Sequence, residues 1–195
     1  SNPMDKIKNE EKPKRRRTER AFLTIDELKI LSQTDFHNAT LKKAFLFSCF
    51  CGLRHSDIVA LTWGNLKKGK VGKMELHMTQ QKTQEILSLP LSKEALKQLP
   101  VRGKVPDTEK VFKGLISLGR TNEILPKWAA KAGIQKHITF HSARHTHATM
   151  MITLGADLYT VSKLLGHTNI QTTQIYAKIV DESKEKAIDL IPDIT

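Results

Sequence analysis

A chain of 195 residues, 39% of them hydrophobic and 27% charged, has the length and apolar content to bury the core of one domain. No apolar run approaches the roughly 18 residues of a membrane span, no signal peptide is read, and two cysteines without a C-x-x-C spacing argue against a disulfide framework or a zinc site. Lys and Arg outnumber Asp and Glu by 32 to 20, and the net charge of +12 favours a polyanionic partner, because each phosphate neutralised releases condensed counterions.

Residues 1–20 are polar, with Lys12, Lys14, Arg15, Arg16, Arg17 and Arg20 crowded together. The stretch reads as a basic linker or arm, either a solvated charge run or a strap along a nucleic-acid backbone through Arg15, Arg16 and Arg17. Ser1-Asn2 reads as a cloning remnant, and the chain as a piece of a longer protein. Order is expected from Thr24, where Thr24-Ile25-Asp26-Glu27 has the capping-box pattern ahead of Leu28 and Leu31. A second helix is expected over 39–51. Its Phe45-to-Cys51 stretch is apolar nearly all round, as in a buried helix, and Gly52 serves as a left-handed cap. Cys49 and Cys51 then read as free, buried thiols in a reducing cytoplasm. Ser56 is expected to cap a short helix carrying Ile58, Val59 and Leu61.

Between Met74 and Leu91 the period changes to two. Met74–Met78 and Glu85–Leu89 alternate as half-buried strands do, with Gln80–Gln84 as the turn. Helices resume over Ser92–Leu99, Ile124–Ala132 and His141–Leu154, the last stopping at Gly155. Asp157 caps a helix with Val161, Leu164 and Leu165 that stops at Gly166, and Thr168 or Asn169 caps a third helix carrying Ile170, Thr173, Ile175 and Tyr176. Trp63, Trp128 and Tyr159 read as packing residues. The expected fold class is mainly α with a small antiparallel β-sheet, an α+β domain.

His141 and Arg144 lie three apart, and His145 four from His141, so one helical face carries all three. Such a face suits an anion, the guanidinium fork matching a phosphate, although a His-Arg pair is also a common surface feature. His141 and His145 could share a metal ion, but no nearby Glu or Cys completes the set, and His147 points away. Arg54 sits at a helix junction with Asp57 three residues on, which reads either as an aimed guanidinium or as an ordinary ion pair. No P-loop or dinucleotide glycine motif is present.

Four runs then carry a resemblance: Thr139-Phe140-His141-Ser142-Ala143-Arg144-His145-Thr146, Leu154-Gly155-Ala156, Leu164-Leu165-Gly166-His167-Thr168 and Thr172-Thr173-Gln174-Ile175-Tyr176. With Cys51-Gly52-Leu53-Arg54-His55-Ser56-Asp57-Ile58, and Gln81-Lys82-Thr83 ahead of Leu89-Pro90-Leu91, they resemble, in order, the catalytic domain of the tyrosine recombinase or phage integrase family. The resemblance implies a DNA strand transferase independent of metal, ATP and cofactor, acting on double-stranded DNA through a 3′-phosphotyrosine. Tyr176 would be the nucleophile, Arg54 and Arg144 the phosphate clamps, and Lys82 the general acid. His141 would assist proton transfer at the tyrosine, His167 would bond a phosphate oxygen, and Asp57 and His145 would support them. Lys82, Thr83 and the Arg15–Arg17 arm would touch DNA.

Implied too are a catalytic domain over 21–180 and a tail over 181–195 that docks on a neighbouring protomer. The full-length protein would be a tetramer on DNA and the free fragment a monomer, in the cytoplasm and away from membranes, serving a mobile element. A type IB topoisomerase, a non-catalytic DNA-binding module and a metal-dependent nuclease are the alternatives.

Overall fold

The computed structural model describes residues 21–69 and 72–176. The arm with Arg15, Arg16 and Arg17 and the tail over 181–195 lie outside the described residues. Helix α1 (Ile25–Gln33) starts where expected: the Thr24 hydroxyl accepts from the Glu27 N–H at 3.2 Å, and the Glu27 carboxylate accepts from the Thr24 N–H at 2.7 Å. Helix α2 (Ala39–Cys51), capped by the Asn38 side chain, is the central pillar. Phe45, Leu46, Phe47, Cys49 and Cys51 are all buried, because α2 packs against α3, α4 and α6. Gly52 ends it with φ +71°, and a Cβ there would meet His147 and Leu165 at 2.8 Å, so conformation and space both require glycine.

Helix α3 (His55–Ala60) begins one residue before Ser56. Arg54, not Ser56, stands at its N-cap, with the Asp57 carboxylate accepting from the Arg54 N–H at 3.3 Å; Ser56 is exposed in the first turn. The sheet has three antiparallel strands in the order β1 (Leu66–Lys68), β2 (Met74–Thr79), β3 (Ile86–Pro90). The β2–β3 hairpin follows the alternation: Leu76, Met78, Leu87 and Leu89 face the core. Strand β1 carried no sequence signal, since Leu66-Lys67-Lys68 is too short to show a period.

Helices α4 (Lys93–Lys97) and α5 (Leu118–Lys131) are capped by Ser92 and Ser117. The second starts six residues before Ile124, because its first turns are polar and lack periodic apolar residues. Trp128 on α5 stacks on Phe36 at 4.6 Å, meets Phe45 edge-on, and donates from Nε1 to the Thr34 carbonyl at 3.3 Å. Trp63 is buried as well.

Helix α6 (Phe140–Thr153) packs along α2, and helix α7 (Leu158–Leu165), capped by Asp157, packs on α6. Gly166 ends α7 at φ +64°. Beyond it come two 3-10 turns, Ile170–Thr172 and Gln174–Tyr176, where a regular helix was expected; Asn169, not Thr168, caps the first of them. Ala148, Ile152, Val161, Leu165 and Tyr176 form a second, smaller core that seats this last segment on α6 and α7. Tyr159 is not a packing residue: it is 61% exposed on the outer face of α7, with the Lys163 ammonium over its ring.

Candidate active site

Arg144 is the best-anchored side chain of the site. It is 3% exposed, donating from one terminal nitrogen to the Gly52 carbonyl at 2.8 Å and from the other to the Leu165 carbonyl at 2.7 Å. Both acceptors are carbonyls left over at helix C-termini, those of α2 and α7, where the helix dipoles are negative. Burial, and then the charge of Arg54, lower its pKa to about 10, with Tyr176, Asp57 and Cys51 acting the other way. It therefore remains a cation at neutral pH.

Arg54 faces the same space from the α2–α3 junction. Its Nη1 is buried and makes no hydrogen bond, lying 4.0 Å from Asp57. The fully buried Asp57 supports Arg54 chiefly through the main chain, with one oxygen on the Arg54 N–H. Its other oxygen accepts from the Gln81 N–H at 2.8 Å, which ties the β2–β3 turn to this arginine. A buried guanidinium nitrogen without an acceptor favours an incoming anion, because an unmade bond to a charged group is costly.

Tyr176 arrives from the last 3-10 turn, 5% exposed. Its hydroxyl lies 2.6 Å from Nδ1 of His145, one position beyond Arg144 on α6. His145 in turn has His141 edge-on, with ring centroids 4.6 Å apart, and His141 is exposed. The phenol thus meets His145, and His145 meets His141. His167, just after α7, has Nδ1 2.8 Å from the buried Thr173 hydroxyl. Burial, followed by the charges of Arg144, Arg54 and His141, pushes its pKa down to about 4. A neutral ring whose Nδ1 accepts from Thr173 carries its proton on Nε2, where it can donate to an anion.

Arg54, His141, Arg144, His167 and Tyr176, with Asp57 and His145, are therefore gathered at one place. Lys82 is on the β2–β3 turn with its side chain in solvent. Thr83, half-buried beside it, donates its hydroxyl to Gln80 Oε1 at 3.0 Å. Sequence reasoning missed Gln80 and Thr173, fully buried polar residues of types common at any surface; no local pattern distinguishes them. His147 points away from the site into the α2 interface, close to the Cys49 backbone, where neither ring nitrogen makes a hydrogen bond of good geometry. Cys49 and Cys51 are free and buried, and burial raises both thiols, Cys51 to about 12, so they stay protonated. Among the described residues no three His, Cys, Asp or Glu are grouped to hold a metal ion.

A tyrosine recombinase of Pseudothermotoga lettingae is 30% identical over 192 residues, covering 96% of this chain and 65% of the relative; the chain thus spans about two thirds of that protein. The catalytic domain of bacteriophage HP1 integrase is similar in fold, with TM-score 0.62 and 22% identity over 88% of this chain and 95% of that one. So is the XerH site-specific recombinase in a post-cleavage complex with its palindromic difH substrate, with TM-score 0.63 and 18% identity over 88% of this chain and 53% of that one. The sequence model of the phage integrase family matches residues 21–183, and with the ordered motifs and this fold it follows that the chain belongs to the phage integrase family.

Proposed function

We propose that this chain is the catalytic part of a site-specific tyrosine recombinase acting on double-stranded DNA. The observation that carries the reading is the buried phenol of Tyr176, hydrogen-bonded to His145 on the same helix as the doubly anchored Arg144. A phenol is a weak nucleophile at neutral pH and needs both a proton acceptor and a cationic surround. The Tyr176 oxygen attacks the scissile phosphorus, its proton passing to His145, and the bond to the 5′-oxygen breaks. Lys82, carried over the DNA by its turn, protonates that oxygen to a 5′-hydroxyl. Arg54 and Arg144 hold the non-bridging oxygens, and His167 donates from Nε2 to one of them. Preorganised donors of this sort contribute roughly 3 kcal/mol each to the transition state. Because the phosphotyrosine bond conserves the energy of the broken linkage, a 5′-hydroxyl from another strand reverses the step without ATP.

The substrate-bound state of XerH supports DNA as the partner. The proposal extends to a tetramer of the full-length protein on DNA in the service of a mobile element, with the 1–20 arm and Thr83 touching the backbone. No helix among the described residues is long and apolar enough to cross a membrane.

The test uses nicked suicide duplexes made from the DNA flanking the gene. An SDS-resistant protein–DNA adduct is expected, insensitive to EDTA and abolished in Tyr176→Phe. Arg54→Ala and Arg144→Ala are expected to lose cleavage by roughly 100-fold or more. Binding without adduct would leave a DNA-binding module, loss of activity in EDTA a metal nuclease, and relaxation without strand exchange a topoisomerase.

A further inference from the structure

We propose that Gln80 is a positioning residue that clamps the β2–β3 hairpin, and Lys82 with it, onto the supports of the two arginines. The inference rests on the recombinase reading for what Lys82 does, but not for the clamp itself. Gln80 is the residue at the exit of β2 and is fully buried. Its amide is oriented from both ends: Nε2 donates to the Leu165 carbonyl at 3.2 Å, and Oε1 accepts from the Thr83 hydroxyl at 3.0 Å. The Leu165 carbonyl is the oxygen that also receives Arg144 at 2.7 Å.

The next residue, Gln81, donates its N–H to Asp57 Oδ1, and the other oxygen of Asp57 holds the Arg54 N–H. Two successive residues thus grip the support of Arg144 and the support of Arg54. Lys82 follows at once, its Cα about 3.8 Å from that of an anchored neighbour.

The surroundings are shaped for this amide. At Gly166 a Cβ would lie 2.7 Å from Gln80 Oε1, so only glycine leaves the space. The turn closes on Gln80 as well, whose N–H donates to the Glu85 carbonyl at 2.9 Å and whose carbonyl accepts from the Gln84 N–H at 2.9 Å. Gln84 takes φ +57° to allow it. A buried amide satisfied at both ends specifies one arrangement, whereas an apolar side chain of similar size lets the hairpin slide. The exposed Lys82 has no anchor of this kind in its own side chain; its place is set by the two residues before it.

The first arm of the test needs no DNA. Amide hydrogen exchange of the whole chain is measured for wild type, Gln80→Leu and Gln80→Ala. The Gln81 and Gln84 amides are expected to exchange roughly tenfold faster in both variants, with the α2 amides unchanged as evidence of an intact fold. Unchanged protection at Gln81 and Gln84 overturns the clamp.

The second arm measures adduct formation on the nicked duplex. Gln80→Leu is expected to be slowed roughly tenfold or more. A 5′-bridging phosphorothiolate, whose leaving group needs no proton, should restore it, as it restores Lys82→Ala, and the double variant should be no slower than Lys82→Ala alone. A defect that persists on the sulfur substrate, or that adds to that of Lys82→Ala, overturns the assignment to Lys82. If wild type forms no adduct, the recombinase reading fails, and hydrogen exchange still decides the clamp.

Discussion

Arg144 is defined by what it touches as much as by its charge. A lysine gathers its donors on one nitrogen and lacks the two-pronged fork with which Arg144 bonds the Gly52 and Leu165 carbonyls at 2.8 and 2.7 Å. Arg144→Lys is therefore expected to lose about 1–3 kcal/mol of stability in urea melts, from one unsatisfied carbonyl, besides roughly 100-fold in adduct formation. A variant that melts like wild type would show that the two carbonyls do not need this fork. His147 supplies a second residue-level prediction. Burial and the Arg144 charge lower its pKa to about 4 from an ordinary 6.5. Above pH 6.5 the ring is neutral in both folded and unfolded chains and has no effect on the balance. As the pH falls from 6.5 to 4 the unfolded chain takes up a proton that the folded ring refuses, so stability drops through that window. The loss approaches about 3 kcal/mol for His147. His167, lowered to about 4, and His55, lowered as well, act in the same direction. Melting curves across pH 4–7 should flatten in His147→Leu; an equally steep profile would place the proton uptake elsewhere.

At the scale of elements, the segment after α7 is held by the small core of Ala148, Ile152, Val161 and Leu165 around Tyr176. Tyr176→Phe keeps that filling and should cost only about 1 kcal/mol, whereas Tyr176→Ala opens a cavity and should cost about 3 kcal/mol. Denaturant titrations of the two variants compare these directly, and equal losses would mean that the ring contributes no packing. The helices and the hairpin were legible because their caps and periods are local: Thr24 with Glu27, the apolar run that Gly52 ends, and the alternation through Leu76 and Leu87. What was not legible depended on distance along the chain. The register of β1 against β2, the 3-10 turns before Tyr176 and the outward face of Tyr159 are all set by tertiary packing. In the site, spacing placed His141, Arg144 and His145 on one helix. Which imidazole would meet the phenol depended on where the segment after α7 settles.

For the whole molecule, the charge of +12 has a consequence in solution. If the chain contacts several phosphates, the logarithm of its DNA affinity should fall linearly with the logarithm of salt concentration, by about 0.9 for each phosphate neutralised. Removing the arm cations in Arg15→Ala, Arg16→Ala and Arg17→Ala together should reduce that slope if they lie on the backbone. An unchanged slope in filter-binding titrations would leave the arm in solvent.

The Leu165 carbonyl that receives both Arg144 and Gln80 belongs to the peptide backbone. Every amino acid at position 165 supplies that oxygen, so no codon change there can delete it. The vulnerability is displaced to whatever unwinds the final turn of α7, and Gly166, where φ is +64° and a methyl group would strike the Gln80 amide, is where a single added carbon would disturb both partners at once.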